Sequence, residues 1–485
     1  MILYSFFAIP SFMATAFVIV LVSLKKDEYV PYVAITGAAM ALFFSLLSVP
    51  QVLSGHPVTM QMEEWIAPFG ITIFGDCLSV FLSAVVAMIG LLTIVFSYSY
   101  IRERRTKYYA LLSLLFAGLF GVIHTGDLFN LFVFVELMSI ASYGLVAFNR
   151  DNHALEASIK YLIIGSLGTT FFLIGVAFIY GLTGSLNMAD VAGRLAGMSG
   201  PALTTAFAFM LSGLAIKAGL VPFHTWLPDA HPAAPSPVSA VLSGLMIGVS
   251  VYALMRVGYV VFSAPALFLN MLLVLGSASM LVGGVAALRQ SNLKRMLAYS
   301  SVSQMGYIAF ALGLGTALGV TGGIFHLVNQ SVIKGLLFLC SGVIIYNAGT
   351  CDFDRLSGMF SSSRLLSFSF LAGVLALAGV PLSSGFASKW LIYAASYEVN
   401  PFLTLLAVMV SAITLAYGIK AYSMIFSRSS RKSERISFPL SMKIPLAILA
   451  VIILLMGIFP WTGIWMSELM AAGLDSASYI EGVPV

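Results

Sequence analysis

Fourteen apolar runs, parted by short charged or turn-rich breaks, decide what this chain can fold into. A helix rises ~1.5 Å per residue, so crossing the hydrocarbon layer of a bilayer takes about 20 apolar residues. The runs are 2–24, 29–49, 76–101, 108–124, 127–148, 157–182, 202–226, 236–262, 266–288, 296–315, 320–346, 367–397, 401–427 and 444–467. Charge is correspondingly scarce: 24 Lys and Arg plus 19 Asp and Glu make 9% of 485 residues. A soluble domain spends roughly 25% of its residues on these types. So few charges cannot cover a water-facing surface, which excludes a soluble enzyme, a nucleic-acid binder and a disordered scaffold. The chain reads as an all-α polytopic membrane protein. Its first run has no basic segment before it and no small-residue cleavage site after it, so it reads as a retained helix.

The loop charges test the count, because cytoplasmic loops keep Lys and Arg. Loops that follow odd-numbered runs hold seventeen: Lys25 and Lys26; Arg102, Arg104, Arg105 and Lys107; Arg150; Arg289, Lys294 and Arg295; Arg355 and Arg364; Arg428, Arg431, Lys432, Arg435 and Lys443. Loops that follow even-numbered runs, with both termini, hold Arg194 alone. One helix too many or too few would scramble this alternation. It predicts about fourteen spans with both termini on the outer face.

Two runs should be broken. The seventh continues through Pro222-Phe223-His224-Thr225-Trp226-Leu227-Pro228-Asp229-Ala230-His231-Pro232, and the twelfth contains Gly379-Val380-Pro381-Leu382-Ser383-Ser384-Gly385. Proline removes a backbone donor, glycine opens positive φ, and such backbone survives at membrane depth only where protein or water satisfies it. The breaks lie five runs apart, and each has a lysine nearby. Paired interruptions of this kind point to inverted repeats around an ion pathway. The chain therefore divides into three N-terminal helices (1–107), a first five-helix repeat (108–262, spans 4–8), a second inverted one (263–427, spans 9–13), and a basic loop, last helix and short tail (428–485).

Most charges lie in loops or, like Lys160, Arg256 and Lys420, near enough to a span end to snorkel. A smaller set sits inside spans, where an ionised side chain costs at least ~2.5 kcal/mol and demands a partner, water or a function. Glu136 has Ser139 and Tyr143 on its helical face, three and seven residues on. It reads as a protonatable relay or as a carboxylate tying two helices together. Lys217 has His224 seven residues on. Burial disfavours an ammonium and a nearby glutamate favours it, so Lys217 is either a proton switch or half of a static pair. His326, Gln330 and Lys334 recur every four residues and drift only ~40° per step, which puts them on one stripe. Lys389 follows the second break, with Tyr393 and Ser396 beyond it. The tenth run adds only neutral polar groups, Ser300, Ser303, Gln304 and Tyr307.

Other chemistry has no signal. Cys77, Cys340 and Cys351 form no C-x-x-C, and there is no phosphate loop, dinucleotide fingerprint or H-E-x-x-H. Neither a cofactor nor a metal site is expected in this chain, so any redox energy must come from elsewhere. The G-x-x-x-G spacings at Gly244/Gly248 and Gly315/Gly319 are read as close helix packing.

The run from Lys217 through Pro222 to His231, on to Ala234-Pro235-Ser236-Pro237-Val238-Ser239-Ala240, is highly specific. It resembles the signature of the antiporter-like subunits shared by respiratory complex I, Mrp-type sodium/proton antiporters and membrane-bound hydrogenases. Asp127-Leu128-Phe129-Asn130-Leu131-Phe132-Val133-Phe134-Val135-Glu136, Asn292-Leu293-Lys294-Arg295-Met296-Leu297-Ala298-Tyr299-Ser300-Ser301, and His326-Leu327-Val328-Asn329 leading to Lys334 match as well. The resemblance is closest to the Mrp D-type subunit, because the roughly eighteen residues after the last run cannot form the long lateral helix of larger members. It implies a subunit with a central hydrophilic axis, set among other membrane subunits that include homologous antiporter-like ones. Such a subunit sits in a prokaryotic cell membrane and moves protons, with Na+ as the alternative ion. In that family the residues matching Glu136 and Lys217 form the input pair, those matching Lys334 and His326 continue the axis, and the one matching Lys389 leads to the outlet or a neighbouring subunit. His224, Gln330 and Tyr143 are further candidates along the path. Two departures stand out. The span-8 lysine of the family falls at Gly248, and a frequent second histidine of span 11 is Gln330. The missing lysine leaves a gap between Lys217 and Lys334, and with it the alternative of a structural subunit that only couples its neighbours; an independent secondary transporter is the other alternative.

Overall fold

The computed structural model describes residues 2–483 apart from 55, 63–64, 357, 359–362 and 428–436. The basic loop with Arg428, Arg431, Lys432 and Arg435 lies outside the described residues. Helix occupies all fourteen expected stretches. The first six are α1 (Ala8–Ser23), α2 (Val30–Val52), α3 (Cys77–Tyr100), α4 (Arg105–His124), α5 (Leu128–Val146) and α6 (Asn152–Thr183). After a short helix α7 (Met188–Leu195), the seventh stretch is split into α8 (Pro201–Ala218) and α9 (Leu227–Ala233). Then come α10 (Ser236–Val261), α11 (Ala266–Arg289), α12 (Leu293–Gly313) and α13 (Ala317–Ala348). The twelfth stretch is split into α14 (Arg364–Ala378) and α15 (Ser384–Val399), followed by α16 (Pro401–Tyr422) and α17 (Leu440–Ile458). Among the described residues, twelve helices are long and apolar enough to cross a membrane. The other two stretches are α12, diluted by Ser300, Ser301, Ser303 and Gln304, and the halves α14 and α15, each shorter than a span.

Both breaks have one local cause. Ala218-Gly219 and Ala378-Gly379 end their helices with the glycine left-handed, at φ +67° and +79°. That conformation closes a helix C-terminus at little cost for glycine alone. Proline follows within three residues and prevents the helix from resuming at once.

Burial sorts the helices into centre and rim. Every residue in the most apolar window of α10 is buried, and nearly every one in that of α13. A helix apolar and buried all round belongs in a core. In α1, α2, α6 and α16 well under half of the window is buried, so these form the lipid-facing rim. The centre is packed closely: a Cβ on Gly244 would stand 2.9 Å from the Ser331 carbonyl oxygen of α13. Gly315 serves differently, as a left-handed turn residue at φ +67° before α13.

Three features depart from the sequence reading. Strands β1 (Val58–Gln61) and β2 (Thr72–Gly75) pair antiparallel beyond α2. The last run does not cross as one rod: α17 stops at Phe459, and Pro460 opens α18 (Pro460–Ala472), followed by α19 (Ser476–Glu481). These last two helices fold back, so Tyr479 of the expected tail is 3% exposed. Arg256 does not snorkel. It is 4% exposed and bonds both carboxylate oxygens of Asp76 at 2.5 and 2.6 Å.

Candidate functional site

The break after α8 places Lys217 in the last helical turn, 2% exposed. Its Nζ donates to Ser139 Oγ at 2.8 Å and Tyr143 Oη at 3.2 Å, and it lies 5.7 Å from the Tyr143 ring. Ser139 and Tyr143 share a stripe of α5 with Glu136, as their spacing predicts. Glu136 itself is only half-buried and makes no ion pair with Lys217 among the described residues. The resemblance implies a direct pair; here two hydroxyls hold the ammonium and the carboxylate stands further along α5.

The second half of the chain carries a connected polar line. Lys334, fully buried in α13, donates to the Leu297 carbonyl at 2.9 Å and to Ser300 Oγ. One turn along α12, Gln304 Oε1 accepts from His326 Nε2 at 2.9 Å. His326 Nδ1 accepts from the Ser388 hydroxyl at 3.0 Å, and Ser388 adjoins Lys389 on α15. Lys389 is 1% exposed; its Nζ donates to the Leu377 carbonyl at 3.0 Å, to the Ala378 carbonyl at 3.4 Å and to Ser411 Oγ at 3.0 Å. Those carbonyls are the free C-terminal acceptors of α14 at the break, where a cation is favoured. The Tyr307 ring lies 4.5 Å from the same ammonium, and Ser411 also meets Tyr393 at 2.5 Å. Lys389 therefore caps the broken helix and does not reach for an interface.

Between the halves the line stops. No hydrogen bond among the described residues links the Lys217 group to Lys334. Gly248 lies here, against α13: a Cβ on it would meet Leu327 Cδ1 at 3.0 Å and Ser331 Oγ at 3.9 Å. Gln330 is buried on the Lys334 stripe, and neither of its amide atoms has a partner. Two unmet groups at that depth suit bound water, the usual way of satisfying buried polar atoms. His224 falls beyond the break, in a short turn at Phe223–Trp226, so helical spacing from Lys217 does not carry to it. It is half-buried near the Tyr299 ring, with Nδ1 unpartnered.

Several buried groups escaped the sequence reading. Ser388 and Ser411 are ordinary serines until the fold sets them beside His326 and Lys389. Asp76 caps α3, and only packing brings Arg256 onto it. Lys294, counted among the loop charges, is 2% exposed and donates to the Pro232 carbonyl at 3.3 Å and to that of Ala234. His231, quoted only as part of a motif, is wholly buried with both ring nitrogens unpartnered. Its signal was a histidine retained within a largely apolar segment.

Residues 125–414 match the family model described as NADH:quinone oxidoreductase/Mrp antiporter, transmembrane. The chain belongs to this family. The N subunit of NADH-quinone oxidoreductase from Desulforudis audaxviator is 35% identical over 88% of this chain and 90% of that one. The D-type subunit of the Na(+)/H(+) antiporter from Alkalihalophilus pseudofirmus is 31% identical over 93% of this chain and 97% of its own length. A chain of the Mrp complex from Dietzia superposes with TM-score 0.92 at 29% identity, covering 99% of both chains. The matched region takes in both breaks and every lysine of the polar line.

Proposed function

We propose that the chain is a proton-translocating membrane subunit of a multisubunit ion-pumping complex. Protons pass by relay among Glu136, Lys217, Lys334, His326 and Lys389. One observation carries this reading: a buried polar line between Lys334 and Lys389, in which Lys334 bonds Ser300, His326 bonds Gln304 and Ser388, Gln304 lies one turn after Ser300 on α12, and Ser388 is the residue before Lys389. Its lysines and its histidine can take up and release a proton, and the serines and Gln304 between them can hydrogen-bond the carriers or bridging water. Proton transfer suits such a line better than Na+ passage, because a hard cation asks for several oxygen ligands and carboxylates are missing along it. Ammonium groups there would also repel sodium. Relatives named as antiporter and oxidoreductase subunits support the assembly with other membrane subunits, and the bacterial relatives support a prokaryotic cell membrane. The alternation of loop charge favours termini on the outer face. The matched glycine ends of α8 and α14 favour the division into inverted repeats at 108–262 and 263–427.

The test is transport by the intact complex in proteoliposomes. Lys217→Ala and Glu136→Ala should each abolish proton movement while the complex still assembles, and unchanged pumping in both would overturn the relay. The interruption at Gly248 favours a second reading, a coupling subunit with no complete path of its own. It requires that Gly248→Lys alter transport while Lys217→Ala barely does.

A further inference from the structure

His231 is wholly buried in α9, and neither ring nitrogen has a hydrogen-bond partner. An imidazole always offers one N–H or lone pair on each nitrogen, and burying such groups unmet costs about 1–3 kcal/mol each. A phenylalanine would fill the same space without that cost, so packing alone does not account for the choice of residue. The ring lies 5.1 Å from Phe338 in near-parallel stacking, and Phe338 stands one turn beyond Lys334 on α13. That stacking sets His231 against the Lys334 turn of α13, and Lys294 of α12 bonds the backbone just after it.

Lys294 closes the site from one side. Its ammonium bonds the carbonyls of Pro232 and Ala234, the first and third residues after His231, and so ties the start of α12 across that turn. Beyond it lies solvent-accessible charge: Asp229, two residues before His231, pairs at 3.3 Å with both Lys160 and Arg295, whose side chains are half-exposed. A buried ring with two free nitrogens thus stands between a partly exposed ionic cluster and the first lysine of the polar line.

We propose that His231 is a proton-transfer residue joining Lys334 to the face that carries Asp229, and that Lys294 positions it. The inference rests on the relay reading and adds its connection to one aqueous side. In the step, an imidazolium N–H of His231 breaks, the proton passes over bridging water to the neutral amine of Lys334, and an ammonium N–H forms there. Neutral His231 then takes a proton from water at the Asp229 side; run backwards, the same step releases one. Like charges at close range repel, so with Lys294 already cationic, His231 accepts a proton only while Lys334 is neutral. That condition makes the transfer one proton at a time.

The experiment uses the intact complex in proteoliposomes. His231→Gln should lower proton transport at least tenfold with assembly unchanged, and His231→Ala should regain transport when imidazole is added. Transport at the unaltered rate in His231→Phe or His231→Gln would overturn the proposal. Should the His231 variants fail to assemble, Lys294 decides it: Lys294→Met should shift the pH profile of transport, and Lys294→Arg, which keeps the donors, should restore it. An unshifted profile in Lys294→Met would overturn it equally. The Lys334→Ala variant separates the two readings. If it is inactive while His231→Gln is normal, only the present inference fails; if it too transports normally, the relay itself fails.

Discussion

A single residue shows how far charge inside this protein depends on its surroundings. Arg256 and Asp76 face each other 2.5 Å apart with almost no solvent, and Tyr252 and Phe74 flank the guanidinium at 5.3 and 5.5 Å. Removing one member of a buried pair strands the other, typically at about 3–5 kcal/mol, whereas replacing both by apolar residues is often neutral. Asp76→Asn should therefore lower the thermal midpoint of the purified complex strongly, and Asp76→Leu with Arg256→Met should recover most of it. A double variant as unstable as the single would show that the pair is needed for more than charge balance. The sequence placed Arg256 near a span end, and that position is correct. What the sequence could not show was the carboxylate on a helix 180 residues away, since nothing in local spacing reports it.

At the scale of elements, the two breaks set the chemistry. Each joins a left-handed glycine to a buried lysine, Gly219 to Lys217 and Gly379 to Lys389. A Cβ on Gly379 would stand 2.8 Å from Lys389 Cδ, and its φ of +79° disfavours any side chain. Gly379→Ala should therefore displace the ammonium from the α14 carbonyls and cut transport, with the complex still assembled. Gly181→Ala is the control: it lies in the last turn of α6 with nothing within 4 Å, so alanine should leave transport unchanged and hold or raise stability by under ~1 kcal/mol. Equal effects from the two substitutions would mean that the break geometry is unimportant. These breaks were legible beforehand because proline and glycine act through their own backbones. The end of α17 at Phe459 was not, although Pro460 was in plain view, because an apolar run on both sides hid it.

For the whole molecule, the C-terminal helix is tied to elements far back in the chain. Tyr479 of α19 packs on Phe74 with ring centroids 4.1 Å apart and lies 5.3 Å from the Arg256 guanidinium, so the last helix locks β2, α3 and α10 in one cluster. Tyr479→Ala removes a large buried aromatic, a loss of roughly 3 kcal/mol or more. It should lower the thermal midpoint while transport per assembled complex stays near normal, since the polar line runs elsewhere. Loss of transport in a stably assembled variant would instead place the cluster on the proton path.

The division of labour between sequence and fold follows from range. Apolar length, loop charge and the proline–glycine breaks are local or additive properties, so the sequence alone determined an all-α membrane protein, the helical stretches and the mid-span charges Glu136, Lys217, Lys334 and Lys389. Tertiary structure decided which of them touch. It gave Lys217 the hydroxyls of Ser139 and Tyr143 as partners, set neutral serines and Gln304 along the way from Lys334 to Lys389, and buried Lys294 and His231 together. A side chain's partner across the bundle is set by how helices pack, and packing is the one quantity that no stretch of sequence carries by itself.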